Sequence, residues 1–293
     1  MSQAAVRCRL SQVNVFSTEP LLGNPVAVVH AEQAESELDD ATMAAFSCWT
    51  NLSEVTFLLP PTDPAADYRV RIWCRDRELP FAGHPTLGTA HAWLEAGGRP
   101  AAPQHVVQEC GAGLVTVRTG SQLAFAAPPL LRSGPPSPAE LVAATAALRI
   151  DPERVLRAEW IDNGPGWLGL WLADAEEVLA IEPDFHAMAG MDLGVAAPWS
   201  AREAAARGAD IEVRGFDGVV GEDPVTGSLN ASLGQWLTRL ELLPDAYVAA
   251  QGTRLGRRGR ISVTRDGADV WVGGDTVTVV AGEVTLSGAS VRS

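Results

Sequence analysis

The chain contains no lysine; all 22 of its basic side chains are arginine. It therefore cannot form the lysine Schiff base that anchors pyridoxal phosphate, and that chemistry is excluded. Positive charge is scarce as well. Against 36 acidic groups it leaves a net charge of −14, which disfavours nucleic acid and acidic membrane as partners. Cysteine is sparse: Cys8, Cys48, Cys74 and Cys110 are scattered, with no CxxC pair and no metal-ligand spacing. Reduced, buried thiols and no metal are expected. No apolar run approaches the ~20 residues of a membrane span. The first residues lack the basic stretch, apolar core and cleavage site of a signal peptide, so a cytoplasmic protein is expected. No GxGxxG opens a βαβ unit and no GxxxxGK[ST] occurs, so nucleotide cofactors are not indicated and no cofactor is expected.

What is present is ordinary for a folded chain of two domains: 293 residues, 46% hydrophobic and 20% charged. One stretch organises it, Arg71 to Gly97, RIWCRDRELPFAGHPTLGTAHAWLEAG. A strand-like run (Arg71 to Cys74) leads through a polar turn to Pro80-Phe81-Ala82-Gly83-His84-Pro85-Thr86. Leu87, Ala90, Trp93 and Leu94 then recur at helical spacing. Pro85 suits the first helical turn, and Gly97-Gly98 with Pro100 stop the helix. His84 and Thr86 should thus stand among unpaired N–H groups at the positive end of a helix dipole, a place to hold a substrate carboxylate.

A similar design recurs at Ile211 to Leu243, IEVRGFDGVVGEDPVTGSLNASLGQWLTRLELL. Setting His84 over Asp223 gives [His/Asp]-Pro-x-x-Gly-[Ser/Thr] in both copies. Each copy follows a strand-like run and opens a helix with a Trp-Leu pair, Trp93-Leu94 and Trp236-Leu237. Two matching copies suggest an internal duplication and a site with one helix start from each half.

The remainder reads as short strands between turns. Runs at 13–16, 25–29, 55–59, 106–110, 114–118 and 123–125 are strand-like, and 35–48 is helix-like. Pro128 to Pro138, with five prolines, is the linker candidate. Helices are expected at 138–148, over part of 178–189 and at 197–207, with strands at 158–161 and 167–172. Three alternating strands close the chain, split by Asp266-Gly267 and Gly273-Gly274 read as hairpin turns. The fold class expected is α+β: two pseudo-symmetric lobes, each a curled, mainly antiparallel sheet wrapped around a central helix. The lobes are placed at 1–127 and 128–293, and the last strand can return to the first lobe.

Three polar residues stand out. Glu54 sits at the lip of the apolar run Val55 to Leu59, where partial desolvation raises a carboxyl pKa and suits a general acid/base. Its bland alternative is a solvated strand-end glutamate. His84 near a helix dipole favours its neutral form, and the alternative is a capping histidine. Asp223 is either a catalytic group or a plain helix cap. Ser228 and Thr89 read as caps or turn residues. His30, His91, His105 and His186 show no partner pattern. Glu109-Cys110-Gly111 imitates a thiol-epimerase motif, but a strand follows it rather than the helix start that lowers a thiol pKa, so Cys110 reads as a buried strand residue.

Several motifs together resemble the PhzF-like family of phenazine-biosynthesis-type isomerases. They are Val15-Phe16 with Gly23-Asn24-Pro25; Ser53-Glu54-x-Thr56-Phe57; Glu78-x-Pro80-Phe81-x-Gly83-His84-Pro85-Thr86; Glu222-Asp223-Pro224-x-Thr226-Gly227-Ser228; and Gln251-Gly252. The resemblance runs through nearly the whole chain. It implies a diaminopimelate epimerase-like fold with the site in a cleft between two lobes. It implies Glu54 as the acid/base that moves a proton between carbons of a small carboxylated substrate, assisted by His84 and Asp223. Ser53, Gly83, Thr86, Gly227 and Ser228 are the substrate-binding candidates, and a homodimer is expected. The epimerase relatives carry two cysteines at the helix starts. Here those places read His-Pro-Thr and Asp-Pro-Val-Thr, which argues against two-thiol epimerisation. The alternatives kept open are a non-thiol racemase or epimerase and a non-catalytic small-anion-binding protein.

Overall fold

The computed structural model describes residues 5–188, 190–218 and 221–287. The chain divides into two compact units, Met1–Phe125 with Gly274–Ser293, and Ala126–Gly273.

In the first unit β1 (Val6–Val15) runs antiparallel to β2 (Asn24–His30). α1 (Asp40–Thr50) then carries the chain over to β3 (Val55–Leu59), parallel to β2. The expected helix at 35–48 starts late because Asp39 caps it: its carboxylate accepts from the Thr42 N–H at 2.9 Å. β4 (Tyr68–Cys74) returns antiparallel to β3 and turns back into the short β5 (Arg77–Leu79). α2 (Gly83–Glu95) follows, then β6 (His105–Cys110), parallel to β4. β7 (Gly113–Arg118) and β8 (Leu123–Ala126) continue as an antiparallel meander.

The second unit repeats this order. Its proline-rich entry, expected as a linker, contains β9 (Arg132–Gly134), and α3 (Pro138–Leu148) follows with a Ser137–Glu140 capping box. β10 (Arg157–Asp162) pairs antiparallel with both β9 and β11 (Trp167–Trp171). α4 (Ala175–Ala180) leads to β12 (Asp192–Pro198), parallel to β11; the far end of the helix expected over 178–189, Ala189, lies outside the described residues. The helix expected at 197–207 is shorter, α5 (Ala201–Arg207), because its first residues belong to β12. β13 (Ile211–Asp217) turns into the three-residue β14 (Gly221–Asp223), and α6 (Gly227–Arg239) follows. β15 (Ala246–Gln251) lies parallel to β13, and β16 (Gly259–Asp266) with β17 (Asp269–Gly274) closes the meander. The last strand, β18 (Thr276–Leu286), belongs to the first unit, antiparallel to β1. Gly273-Gly274, expected as a hairpin turn, instead hands the chain from one unit to the other.

Each unit is a mixed, mainly antiparallel sheet with a nearly engulfed helix, as expected of this fold class. Residues Gly83 to Ala90 of α2 are all buried, as are Leu229 to Gly234 of α6. Glycines let the helices approach: a Cβ on Gly88 would lie 2.3 Å from Val26, and one on Gly234 would lie 2.7 Å from Val263. His91 is bonded through both ring nitrogens, to Thr276 at 2.9 Å and Thr278 at 3.1 Å, and so ties α2 to β18. Of the four thiols expected to be buried, Cys8 is buried, Cys74 and Cys110 are half-buried and Cys48 is exposed. Cys110 ends β6 as a strand residue, and burial pushes its thiol pKa up, away from the reactive thiolate.

Candidate active site

Glu54 is the last residue before β3, and His84 is the second residue of α2. These separate elements bring the two side chains together, with Nε2 of His84 3.3 Å from Oε2 of Glu54. The approach has the distance of an ion pair without the angles of a hydrogen bond. Nδ1 of His84 lies 3.4 Å from Nδ2 of Asn24, the first residue of β2. The His84 side chain is 6% exposed and that of Glu54 15%. Burial drives the His84 pKa down to about 3, against a weaker upward pull from the Pro25 backbone. At neutral pH the ring is therefore an uncharged neighbour of the carboxyl group, with one nitrogen to donate and one to accept.

α2 begins at Gly83, and its first helical bond runs from the Thr86 N–H to the Ala82 carbonyl. The Gly83 and His84 amides thus have no partner within the helix, as an anion site requires. Ser53 is exposed in the bend before Glu54. Thr86 is fully buried, and its hydroxyl accepts from Nε2 of Gln108 at 3.0 Å. Tyr68 donates to the same glutamine at 3.1 Å. Gln108 is thus a buried support for the helix start that sequence reasoning missed.

In the other unit Asp223 ends β14, and its Oδ2 accepts from the Thr226 hydroxyl at 2.7 Å. Thr226 is the N-cap of α6, followed by Gly227 and Ser228. Gln251 holds this turn together. Its Oε1 accepts from the Thr226 N–H at 3.0 Å and Nδ2 of Asn230 at 2.8 Å. Its Nε2 donates to the Thr226 hydroxyl at 2.8 Å and the Asp223 carbonyl at 3.2 Å. The Ser228 hydroxyl accepts from the Trp167 indole at 3.1 Å, and the Ser228 carbonyl accepts from Asn163 at 3.0 Å. The sequence offered Gln251 only as part of a motif. It gave no signal for Asn163 or Trp167, whose work depends on where β10 and β11 end.

The two helix starts correct one sequence alignment. Gly83 and Gly227 are each the first residue of their helix, so His84 corresponds to Ser228. Asp223 corresponds to Leu79, because each pairs across its hairpin two residues from the turn-proximal partner: Ile72 with Leu79, and Gly215 with Asp223. The repeat register differs by five residues from the His84-over-Asp223 match.

Known proteins agree with this architecture. The sequence profile of the phenazine biosynthesis-like proteins, PhzC-PhzF, matches residues 13–282. Antisense-enhancing sequence 1 of Schizosaccharomyces pombe is 32% identical over 294 residues, 93% of this chain and 97% of that protein. A trans-2,3-dihydro-3-hydroxyanthranilate isomerase of Pseudomonas aeruginosa is 31% identical over 290 residues, 95% of each chain. The crystal structure of a PhzF-family phenazine biosynthesis protein from Enterococcus faecalis superposes with a TM-score of 0.76 at 26% identity, covering 95% of this chain and 99% of that one. Among the described residues no helix is long and apolar enough to cross a membrane. With profile, relatives and fold in agreement, this chain belongs to the phenazine biosynthesis-like, PhzC-PhzF family and is an enzyme of the isomerase class.

Proposed function

We propose that this isomerase shifts a proton between two carbons of a small carboxylated substrate, with Glu54 as the acid/base. The observation that carries the reading is the 3.3 Å approach of Glu54 to a buried, uncharged His84 at the start of α2. As a carboxylate, Glu54 takes a C–H proton, and the electron pair left behind delocalises into an adjacent π system or carboxylate. Protonated Glu54 returns the proton at a second carbon, so the enzyme ends as it began. His84, a neutral imidazole 3.3 Å away, faces Glu54 without adding a standing positive charge. The Gly83 and His84 amides and the dipole of α2 stabilise the negative charge that develops on the substrate. Ser53, Thr86, Gly227 and Ser228 complete the proposed binding set, and Asp223 is proposed as a second proton-handling group.

The substrate class follows from the P. aeruginosa relative, which is named for trans-2,3-dihydro-3-hydroxyanthranilate. We infer a compound of that chemistry, a small carboxylate bearing an amine beside unsaturation. The test is incubation of that compound with the enzyme in D2O, read by NMR. Deuterium at a carbon other than the one that lost hydrogen supports the reading. Deuterium at the same carbon with inverted configuration means epimerisation instead. Binding with neither label nor any change in the compound would contradict both and leave a carboxylate-binding protein.

A further inference from the structure

The hairpin that carries Asp223 is fastened by an arginine that takes no part in the proton chemistry above. Arg214 lies in β13 and is only 3% exposed. Its Nε donates to Oε1 of Glu222 at 2.9 Å, and its Nη2 donates to Oε2 at 2.7 Å. Its Nη1 donates to the carbonyls of Val178 at 3.1 Å and Ile181 at 2.7 Å, where α4 ends. One guanidinium therefore joins β13, β14 and the end of α4.

A buried ion pair of this kind is weak support for stability, because desolvating the two charges offsets most of their attraction. Its stronger effect is directional: the planar fork accepts a carboxylate in one orientation. Glu222 immediately precedes Asp223, so fixing Glu222 fixes the peptide that presents Asp223. On its other side Asp223 is already held by Thr226 and Gln251.

The first unit contains the same clamp. Nε and Nη2 of Arg71 donate to Glu78 at 2.7 and 2.6 Å. The residue after Glu78 is Leu79, which occupies the position of Asp223 and has no proton to handle. The fold thus supplies a clamp in both units, but only in the second is the residue after the clamped glutamate a carboxylate, and the second pair is the more deeply buried.

We propose that Arg214, acting through Glu222, is a positioning residue that aims the Asp223 carboxylate for the reaction. This rests on the role given to Asp223 under Proposed function. The test compares Arg214→Lys, which keeps the charge and loses the fork, with Arg71→Lys as the internal control. A double variant, Arg214→Met with Glu222→Leu, replaces the pair by apolar packing in case the single variant does not fold.

Two readouts apply: amide hydrogen exchange with a crystal structure of each variant, and kcat and KM with trans-2,3-dihydro-3-hydroxyanthranilate as the probe. In Arg214→Lys and in the double variant the Asp223 amide should exchange about 10-fold faster. Asp223 should leave its 2.7 Å bond to Thr226. Turnover should drop by about 10- to 100-fold in kcat with KM within about 2-fold. Arg71→Lys should change neither readout at Asp223. An unmoved Asp223 with unchanged amide protection overturns the proposal. So does a displaced Asp223 with unchanged kcat, and that result leaves Glu54 untouched. If the wild-type enzyme does not turn the probe over, the reading under Proposed function fails, and the structural readout alone decides whether Arg214 holds Asp223.

Discussion

Arg71 and Arg214 occupy one register position in two copies of a hairpin, and each grips a glutamate with the same two nitrogens. Each also lies against an aromatic ring at the next-but-one position, Trp73 at 5.4 Å and Phe216 at 4.8 Å. Their surroundings differ. The Arg71 and Glu78 side chains are 23% and 40% exposed, and Arg71 has a second carboxylate, Asp40, at 2.8 Å. The Arg214 and Glu222 side chains are 4% and 10% exposed, and the spare donors of Arg214 go to backbone carbonyls. Identical chemistry therefore does different work. In water the pair is screened and easily replaced. When buried, every group must stay paired, and the pair becomes a rigid fixture.

The largest expected break in this comparison is loss of one partner. Arg214→Met leaves Glu222 buried and unpaired and should destabilise the fold by about 3–5 kcal/mol in denaturant unfolding. Arg71→Met should cost no more than about 1 kcal/mol. Equal costs would show that burial does not distinguish the two clamps.

Two residues before each arginine the units diverge again. Arg69 is paired with Glu35 and donates to the Pro60 carbonyl at 3.3 Å. Glu212, its counterpart, is fully buried, and neither of its oxygens makes a hydrogen bond of normal geometry. Burial pushes its pKa up to about 7, although Thr253, Arg260, Arg207 and Trp199 pull it down. Below about pH 4.5 the folded and unfolded chains both hold this proton. As pH rises the unfolded chain releases it first, so stability falls until the folded group also ionises near pH 7. Glu212→Gln removes that penalty. Its advantage over wild type in thermal unfolding should grow from pH 5 to 7 and level off at about 3 kcal/mol. A difference that does not vary with pH would contradict the buried-acid account.

A smaller contrast concerns the two glutamines beneath the helix starts. Gln251→Leu leaves the Thr226 amide without its acceptor, removes one of the two acceptors of Asn230 Nδ2 and should cost about 2 kcal/mol. Gln108→Leu strips one acceptor from Tyr68 and one donor from Thr86 and should cost about 1 kcal/mol. Reversal of that order in urea titrations would mean that the α2 start, not the α6 start, depends more on its glutamine.

Much of this was legible in the sequence, for local reasons. Pro85 and Gly97-Gly98 bracket α2, and alternation with tight turns marks the strands around it. Glu54 and His84 stood out because polar residues rarely occupy such places by chance. What escaped the sequence depends on register. β12 was hidden because Asp-Leu-Gly-Val-Ala-Ala-Pro neither alternates nor carries the bulky residues that mark a strand. Packing makes it a strand: a Cβ on Gly194 would meet Leu229 of α6 at 2.2 Å. Similar letters aligned His84 with Asp223, whereas the helix starts align it with Ser228. The clamps join residues seven or eight apart across strands as short as three residues, which no periodicity reveals.

The decisive quantity is proton traffic through Glu54. Wild type and Glu54→Gln are compared in D2O for washing of solvent hydrogen into the probe substrate, with affinity measured separately. Glu54→Gln should lose about 100-fold or more in the exchange rate with binding retained. Exchange at the wild-type rate in Glu54→Gln would contradict Glu54 as the acid/base.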